Sequence, residues 1–221
     1  MLALQQVKDN PFINDFIQQS EKYLRALGYT DHGFRHIGIV SDRAVKLAKD
    51  VGLSAAQQEL AGIAGYCHDM GNFMGRTQHH YWSAILFSQI FSAQVEPDDL
   101  SSVMQAIVSH DKNELKLVNE IAAVLILADK SDVHRSRVVA DSLSRDMAED
   151  IHDRVNYAAT ENKLAINTRK KEILLKIIID TSVAEPIDYF EIFIDRMTFC
   201  RQAASYLGYK FILTINNFRL S

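Results

Sequence analysis

The stretch LAGIAGYCHDMG, residues 60–71, decides the expected fold and the place of its polar site. Ala64 lies one helical turn before His68, so periodicity puts this histidine on the apolar, inward face of a predicted helix. Asp69 follows directly, and Gly71 closes the helix just beyond it. An ionisable pair at a buried position costs free energy unless partners satisfy it. The stretch therefore predicts a helical core that carries a polar site.

Helical spacing of the apolar residues extends on both sides of this stretch. Ser54 with Gln57 predicts a capping box at the start of its helix, and Gly28 and Gly52 predict the ends of the two helices before it. Residues 141–160 are polar and predict a helical bridge. The predicted helices cover approximately residues 11–27, 34–51, 54–70, 79–92, 97–110 and 118–135.

The pattern changes towards the end of the chain. Two β-branched runs around the polar turn TRKK predict a hairpin, and an amphipathic stripe after Pro186 predicts a long helix that ends at Gly208. The predicted strands are Leu164–Asn167, Ile173–Ile179 and Tyr209–Ile215. The expected fold is therefore mainly α, with a helical domain over residues 1–150 and a small β-β-α-β (α+β) unit over residues 151–221.

Composition limits the classes of partner that the chain is expected to have. Its 221 residues carry a formal net charge of -4, so no global positive field favours a nucleic acid polymer or a membrane surface. Cys67 and Cys200 are far apart and lack the spacing of a metal site, which suits a reducing compartment. No signal peptide begins the sequence, and no apolar run approaches about 20 residues. We expect a cytoplasmic protein without a membrane partner.

Ionisable residues recur where helical periodicity predicts burial. His36 lies near the start of one predicted helix, His110 ends another, and Asp129 follows the apolar run IAAVLILA. A divalent cation would neutralise the carboxylates and accept neutral imidazoles. Mixed His/Asp ligation favours Mn²⁺, Fe²⁺, Co²⁺ or Zn²⁺ over Ca²⁺, which prefers a site of oxygen ligands only; Mg²⁺ stays an open alternative. The pattern therefore predicts one or two divalent metal ions as cofactor.

The order of these residues resembles that of the HD-domain superfamily of metal-dependent phosphohydrolases, and most of all its small bacterial stand-alone members. The resemblance covers about residues 30–135 and implies an HD-type helical bundle. The matching elements are His36 in HIGIVSDRA, His68-Asp69 in AGYCHDMGN, His79 in HHYWSA, His110 in AIVSH and Asp129 in LADKSD. In the simplest branch of the family, four ligands hold one metal, and the resemblance implies that these are His36, His68, Asp69 and Asp129. The full set, which includes His79 and His110, is similar to the branch that can hold two metals.

The sequence also departs from the family at informative places. Asn72 stands where many relatives carry a lysine, so a phosphate contact by that lysine is lost. DKNEL follows His110 in place of the Gly-Tyr-Pro signature of the cyclic di-GMP phosphodiesterases. The Glu-Asp pair of the guanosine-tetraphosphate hydrolases is absent after His68-Asp69. Neither of those two activities is expected here.

The resemblance implies hydrolysis of a phosphoester or phosphoanhydride, on a small nucleotide-like substrate, by a metal-activated water. Asp69, His79 and His110 are the expected catalytic residues. Expected substrate contacts are His80, Lys130, Arg135 and Arg137. His80 adjoins His79 and His32 lies close to His36, so these neighbours remain alternatives as ligands.

Two other functions remain open at this point. Some HD-like folds hold two irons and act as oxygenases, and the cluster could serve O₂ chemistry instead of hydrolysis. A non-catalytic nucleotide sensor would use the same residues to bind a ligand, with the C-terminal unit passing on the signal. The exposed edges expected of the hairpin also allow a homodimer.

Overall fold

A computed structural model of the chain describes residues 2–111, 116–138 and 151–220. In these ranges it contains nine α-helices, four strands and three short 3₁₀ helices. The α-helices are α1 (Leu4–Lys8), α2 (Pro11–Ala26), α3 (Phe34–Val51), α4 (Ala55–Cys67), α5 (His79–Phe91), α6 (Pro97–Ser109), α7 (Glu120–Lys130), α8 (Ile151–Ala158) and α9 (Pro186–Tyr206). The strands are β1 (Ala159–Asn167), β2 (Glu172–Ile179), β3 (Lys210–Ile215) and β4 (Phe218–Arg219), and the 3₁₀ helices are Asn72–Met74, Arg76–Gln78 and Arg135–Arg137. The coarse prediction of a mainly helical chain with a small β-containing unit is confirmed.

Local caps set the bounds of the helices before the site. The side chain of Asn10 accepts hydrogen bonds from the backbone of Phe12 and Ile13, which starts α2. Gly52 ends α3 in the left-handed conformation, with φ of 92°. Ser54 and Gln57 form the predicted capping box of α4. The predicted starts of these helices are confirmed.

Two helices end earlier than their sequence pattern predicts. The helix predicted to reach Met70 ends at Cys67, because the chain turns there to bring Gly71 against α5. The backbone N–H of Gly71 donates to Ser83 Oγ at 2.9 Å, and a Cβ on Gly71 would lie 2.5 Å from the backbone nitrogen of Ser83. The helix predicted to reach Arg135 ends at Lys130.

The earlier end of α7 has a partner in the sheet. The side-chain amide of Asn162, on β1, donates to the backbone carbonyls of Ser131 and Val133. Carbonyls at a helix end have no partner within the helix, so a side chain that supplies one fixes the end there. The sheet therefore determines where α7 ends and which way the chain leaves it.

Helix α7 lies at the centre of the helical core. Every residue from Ile121 to Lys130 is buried, and α7 packs against α3, α4, α6 and α9. A helix that is apolar on all sides is buried on all sides, which explains the run IAAVLILA. Asp129 stands near the end of this helix and is buried with it. The most enclosed helix therefore carries a carboxylate into the interior.

The C-terminal part forms one four-stranded sheet in the order β1-β2-β3-β4. Strands β1 and β2 are antiparallel, β2 and β3 are parallel through the crossover helix α9, and β3 and β4 are antiparallel. The predicted β-β-α-β order is present, with the two-residue strand β4 added to it. Of the predicted bridge, residues 141–150 lie outside the described residues, α8 is helical, and Ala159 and Thr160 already belong to β1. The division into two domains and the homodimer stay predictions.

None of the helices in the described ranges combines the length and the apolar character needed to span a bilayer.

Substitution of Gly65 tests the close contact between α3 and α4. A Cβ there would lie 2.8 Å from the backbone Cα of Ser41. A backbone atom cannot rotate away as a side chain can, so the two helices would have to move apart. We expect Gly65→Ala to lower the free energy of unfolding by about 1–3 kcal/mol. Gly38→Ala on α3 is the matched control, because a Cβ at Gly38 meets nothing within 4 Å. The control should gain up to about 1 kcal/mol from helix propensity, and equal effects of the two changes in urea unfolding would contradict the account.

Candidate metal centre

The residues predicted as metal ligands meet at one place inside the helical core. Three overlapping groups each bring their ligand atoms within 4.8 Å of one another, and every member is buried. The groups are His36, His68 and Asp69; His68, His110 and Asp129; and Asp69, His79 and His110. Buried His and Asp residues in this arrangement could hold a metal ion.

Helix ends supply almost all of these side chains. His36 lies in the first turn of α3, and His79 is the first residue of α5. His68 and His110 are the residues that cap the C-terminal ends of α4 and α6. Asp129 lies one residue before the end of α7. Since several helices end at the same point, short polar side chains can reach a common centre without interrupting the apolar packing between helices.

Hydrogen bonds on the outer nitrogen fix how each imidazole faces the centre. Nδ1 of His36 lies 2.8 Å from Asp132 Oδ2. The Nδ1 atoms of the other three rings lie close to backbone carbonyls: His68 to Gly65 (2.8 Å), His79 to Arg76 (2.8 Å) and His110 to Ile107 (2.6 Å). Carbonyl and carboxylate oxygens only accept, so each Nδ1 must donate. In a neutral ring, Nε2 then carries the lone pair that a cation requires.

The first part of the cluster pairs two of these nitrogens with two carboxylates. His36 Nε2 is 3.4 Å from Asp129 Oδ1, and His68 Nε2 is 3.4 Å from Asp69 Oδ2. The crossed distances, His36 Nε2 to Asp69 Oδ2 and His68 Nε2 to Asp129 Oδ1, are both 3.8 Å. Two ligand atoms that are each about 2.1 Å from one ion lie about 3.0–3.4 Å apart. These four nitrogen–oxygen distances lie at or slightly above that range, so each pair could share a cation after small movements of the side chains.

The second part of the cluster faces the other oxygen of Asp69. His79 Nε2 is 3.0 Å from Asp69 Oδ1, and His110 Nε2 is 3.5 Å from the same oxygen. The two Nε2 atoms are 3.1 Å apart. Because both rings donate through Nδ1, each Nε2 presents a lone pair to the other. Arg76 Nη1 is 3.3 Å from His79 Nε2 and can donate to that one nitrogen, whereas a cation or a proton between the rings would satisfy both. This part also has the donor set and the spacing of a cation site.

Several polar atoms of the cluster lack a hydrogen-bond partner. Among the residues that the structure describes, His36 Nε2, His68 Nε2 and Asp69 Oδ1 are buried without one. Buried polar atoms nearly always have a partner, so three such atoms in one cluster call for a ligand. The residues present therefore fit a bound divalent cation.

Electrostatics keep the carboxylates in the form that binds cations. Burial by itself would raise the pKa of Asp69, but His68 and His110 hold it well below its usual range. Burial acts in the same direction on Asp129, but the charge of Lys130, together with His36, His68 and His110, outweighs burial and lowers the pKa of Asp129. Both carboxylates are therefore ionised at neutral pH.

Charged side chains border the cluster on one side. Lys130 is buried, with Nζ 2.9 Å from Asp129 Oδ2 and 3.0 Å from Asp111 Oδ1. Arg76 lies between the same region and Asp69, with Nη2 3.7 Å from Asp111 Oδ2 and Nη1 3.9 Å from Asp69 Oδ1. Lys130 was expected as a substrate contact, and in the structure it neutralises two carboxylates. Its contact with a substrate stays a prediction.

Asp132 belongs to the same site, although the sequence pattern did not predict it. Besides accepting from His36, Asp132 Oδ2 accepts from Arg35 Nη2 at 2.9 Å. A carboxylate on the outer nitrogen of a ligating histidine fixes its tautomer and raises its basicity. The sequence signal was present, since Asp132 lies three residues after Asp129 in LADKSD.

The remaining predicted residues lie near the cluster but outside the three groups. His80 is buried, with its ring 6.4 Å from that of His110, and His32 directs Nδ1 to the carbonyl of Thr30 at 2.6 Å. The geometry thus puts His79 and His36, and not these neighbours, in the cluster. Arg135 lies over the ring of Tyr157 at 5.3 Å, and Arg137 is buried in the wall of an adjacent cavity. Their contacts with a substrate stay predictions.

Comparison with known proteins adds a distant relative. No family model matches the chain. The chain is similar to the uncharacterized protein MJ1020 of Methanocaldococcus jannaschii, with 27% identity over 151 residues. The match covers 58% of this chain and 58% of the relative, so it spans less than two thirds of either protein.

Substitution of Asp132 tests the support that it gives to His36. An amide can still accept from Nδ1, but it lacks the charge that makes the imidazole a stronger ligand. We expect Asp132→Asn to weaken divalent-metal binding by about 10- to 100-fold, measured by titration against a competing chelator. Asp31→Asn is the matched control, since Asp31 pairs with Arg35 at 2.6 Å without contacting His36. Equal metal affinity in both variants would exclude the role given to Asp132.

Proposed function

We propose that the chain is a metal-dependent phosphohydrolase that cleaves a phosphoester or phosphoanhydride bond of a nucleotide-like substrate. The observation that carries the proposal is the buried cluster in which four imidazole nitrogens and two carboxylates point at a common centre. Such a donor set binds a borderline divalent cation. When bound, such a cation lowers the pKa of water from about 15.7 towards about 7 and draws charge from a phosphoryl oxygen.

The residues divide into two ligand sets that share Asp69. His36, His68, Asp69 and Asp129 would hold one ion, and Asp69, His79 and His110 would hold a second. The support for two ions is that the two oxygens of Asp69 face different partners: Oδ2 lies towards His68, and Oδ1 lies towards His79. Asp69 could therefore belong to both ligand sets, and two ions held in this way would supply the chemistry of a two-metal hydrolase. The candidate ions are Mn²⁺, Fe²⁺, Co²⁺, Zn²⁺ and Mg²⁺.

The residues of the chain then orient the reaction. Lys130 binds Asp129 Oδ2, which leaves Oδ1 directed towards His36 and the centre. Arg76, about a quarter exposed and close to Asp69, supplies positive charge where a phosphoryl group would approach. If only one ion binds, the Nε2 atoms of His79 and His110 bind no metal. These two nitrogens are then placed to hold the proton that the leaving oxygen needs.

The test is a screen of phosphorylated nucleotides against the candidate cations, with anaerobic handling of Fe²⁺ and measurement of released phosphate or nucleotide. We expect hydrolysis that depends on one of the cations and is removed by a chelator. Asp129→Ala should abolish both bound metal, measured by elemental analysis, and turnover, because it removes a ligand and one of the two carboxylates that pair with Lys130. Asp42→Ala is the control, since Asp42 is exposed on α3, away from the cluster. Metal-dependent turnover retained in Asp129→Ala would contradict the proposal.

The same preparation separates the two other functions. A sensor would bind nucleotide tightly and release no product under any cation. A di-iron oxygenase would purify with coloured, redox-active iron and consume O₂. Either result would replace the hydrolase assignment.

A further inference from the structure

A cavity of about 280 Å³ lies beside the cluster, and three of its lining residues are arginines. Arg76 and Arg137 come from 3₁₀ helices of the helical part, and Arg196 comes from α9 of the C-terminal unit. Three arginines from three separate elements therefore line one cavity. Charged groups of one sign repel each other, so such convergence needs a reason.

The cavity adjoins the cluster directly. His32 lines it, and the ring of His32 is 5.5 Å from the ring of His36. Arg76 also lines it, and Nη1 of Arg76 is 3.9 Å from Asp69 Oδ1. Only the side chains of His32 and Arg76 would therefore separate a ligand in the cavity from the predicted metal ligands His36 and Asp69.

The charge of the wall is not balanced within it. Among the lining residues that the structure describes, Asp153 is the one carboxylate against three arginines. Arg137 is 3% exposed and donates to the backbone carbonyls of Asp132 and Asp31, but its buried Nε, 4.0 Å from Asp132 Oδ2, lacks a hydrogen-bond partner. A buried guanidinium N–H without an acceptor costs free energy, and an anion in the cavity would remove that cost.

Arg196 is held in an unfavourable environment as well. Burial and the charge of Arg137 lower the pKa of Arg196, against the weaker pull of Asp129 and Asp111. Its guanidinium lies 4.7 Å from the ring centre of Phe193, on the same helix. In the ion pairs of the described part of the chain, Arg76 and Arg137 reach carboxylates and Arg196 does not. Positive charge kept at a place that disfavours it is typical of a binding group.

We infer that this cavity binds a phosphate group next to the one at the metal centre, so that the substrate class is a phosphoanhydride with at least two consecutive phosphates. The inference rests on the proposed function and gives its substrate class. One phosphate is satisfied by one or two guanidinium forks, whereas a metal centre followed by three arginines matches a chain of phosphates. At about 280 Å³ the cavity is at the small end of ligand sites, which suits phosphates better than a complete nucleotide.

The inference also gives the C-terminal unit a role. Arg196 is brought to the cavity by α9, which packs against α7 of the helical core. The unit thus contributes a specificity-determining residue to a site whose metal ligands all lie in the helical part. A phosphomonoester would not use Arg196, and a phosphoanhydride would.

The experiment measures binding of pyrophosphate and of orthophosphate to the full-length Asp69→Asn protein, by calorimetry, at fixed ionic strength with a chelator present. Asp69→Asn prevents turnover, and the chelator prevents binding through a cation. We expect pyrophosphate to bind at least about tenfold more tightly than orthophosphate, and Arg196→Gln to weaken pyrophosphate by about 10- to 100-fold. Arg201→Gln, an exposed arginine on the same helix, is the matched control and should change neither affinity. Equal affinities for the two anions, or no effect of Arg196→Gln, would overturn the inference.

Urea unfolding separates a binding role from a structural one. Because the environment of Arg196 is unfavourable without an anion, Arg196→Gln should unfold at the same or a higher urea concentration than its parent. Arg196→Lys keeps the charge without the fork and should bind pyrophosphate with intermediate affinity. Loss of stability in parallel with loss of binding, in both variants, would identify Arg196 as structural and contradict the inference.

The experiments distinguish failure of the anion site in the cavity from failure of the proposed hydrolase function. Selective pyrophosphate binding that depends on Arg196, with no hydrolysis of any nucleotide, would refute the hydrolase and leave the anion site standing. Metal-dependent hydrolysis of phosphomonoesters that Arg196→Gln leaves unchanged would support the hydrolase and overturn the substrate class inferred here.

Discussion

Four hydrogen bonds from imidazole Nδ1 atoms determine what the centre of this molecule can do. Each turns one histidine so that Nε2 faces inward, and the acceptors are three backbone carbonyls and the carboxylate of Asp132. Backbone carbonyls near helix ends have fewer partners within the helix, so they can accept from a side chain; those of Arg76 and Ile107 also accept from the backbone N–H of His79 and His110. The same helix ends that allow the core to close therefore also aim its imidazole nitrogens at the centre.

The rest of the core keeps this arrangement in place. Helix α7 is buried on all sides and carries Asp129 to the centre, while the close contact of Gly65 with Ser41 holds α3 near α4, the helices of His36 and His68. The negative charge of Asp69 and Asp129 acts on His68 against the effect of burial and raises its pKa. The carboxylates thus attract positive charge to the place where a cation would bind.

The sequence predicted those features that repeat locally or follow in a fixed order. Apolar spacing with caps and glycines located α2, α3 and the start of α4, and the order of His and Asp residues on separate helices located the cluster. Contacts made across the fold left no local signal: Gly71 against Ser83 ends α4 early, and Asn162 of the sheet ends α7 early. Arg196 could not be linked to the site from the sequence, because its link to Arg76 and Arg137 exists only after α9 packs on the helical core.

The most direct test of this account is anomalous diffraction from a crystal of the protein grown with Mn²⁺ or Zn²⁺, recorded on both sides of the absorption edge of the metal. The account predicts a peak about 2.0–2.3 Å from the Nε2 atoms of His36 and His68, with any second peak between Asp69, His79 and His110. A crystal with metal bound elsewhere, and with these imidazoles still in contact only with protein or water, would contradict it.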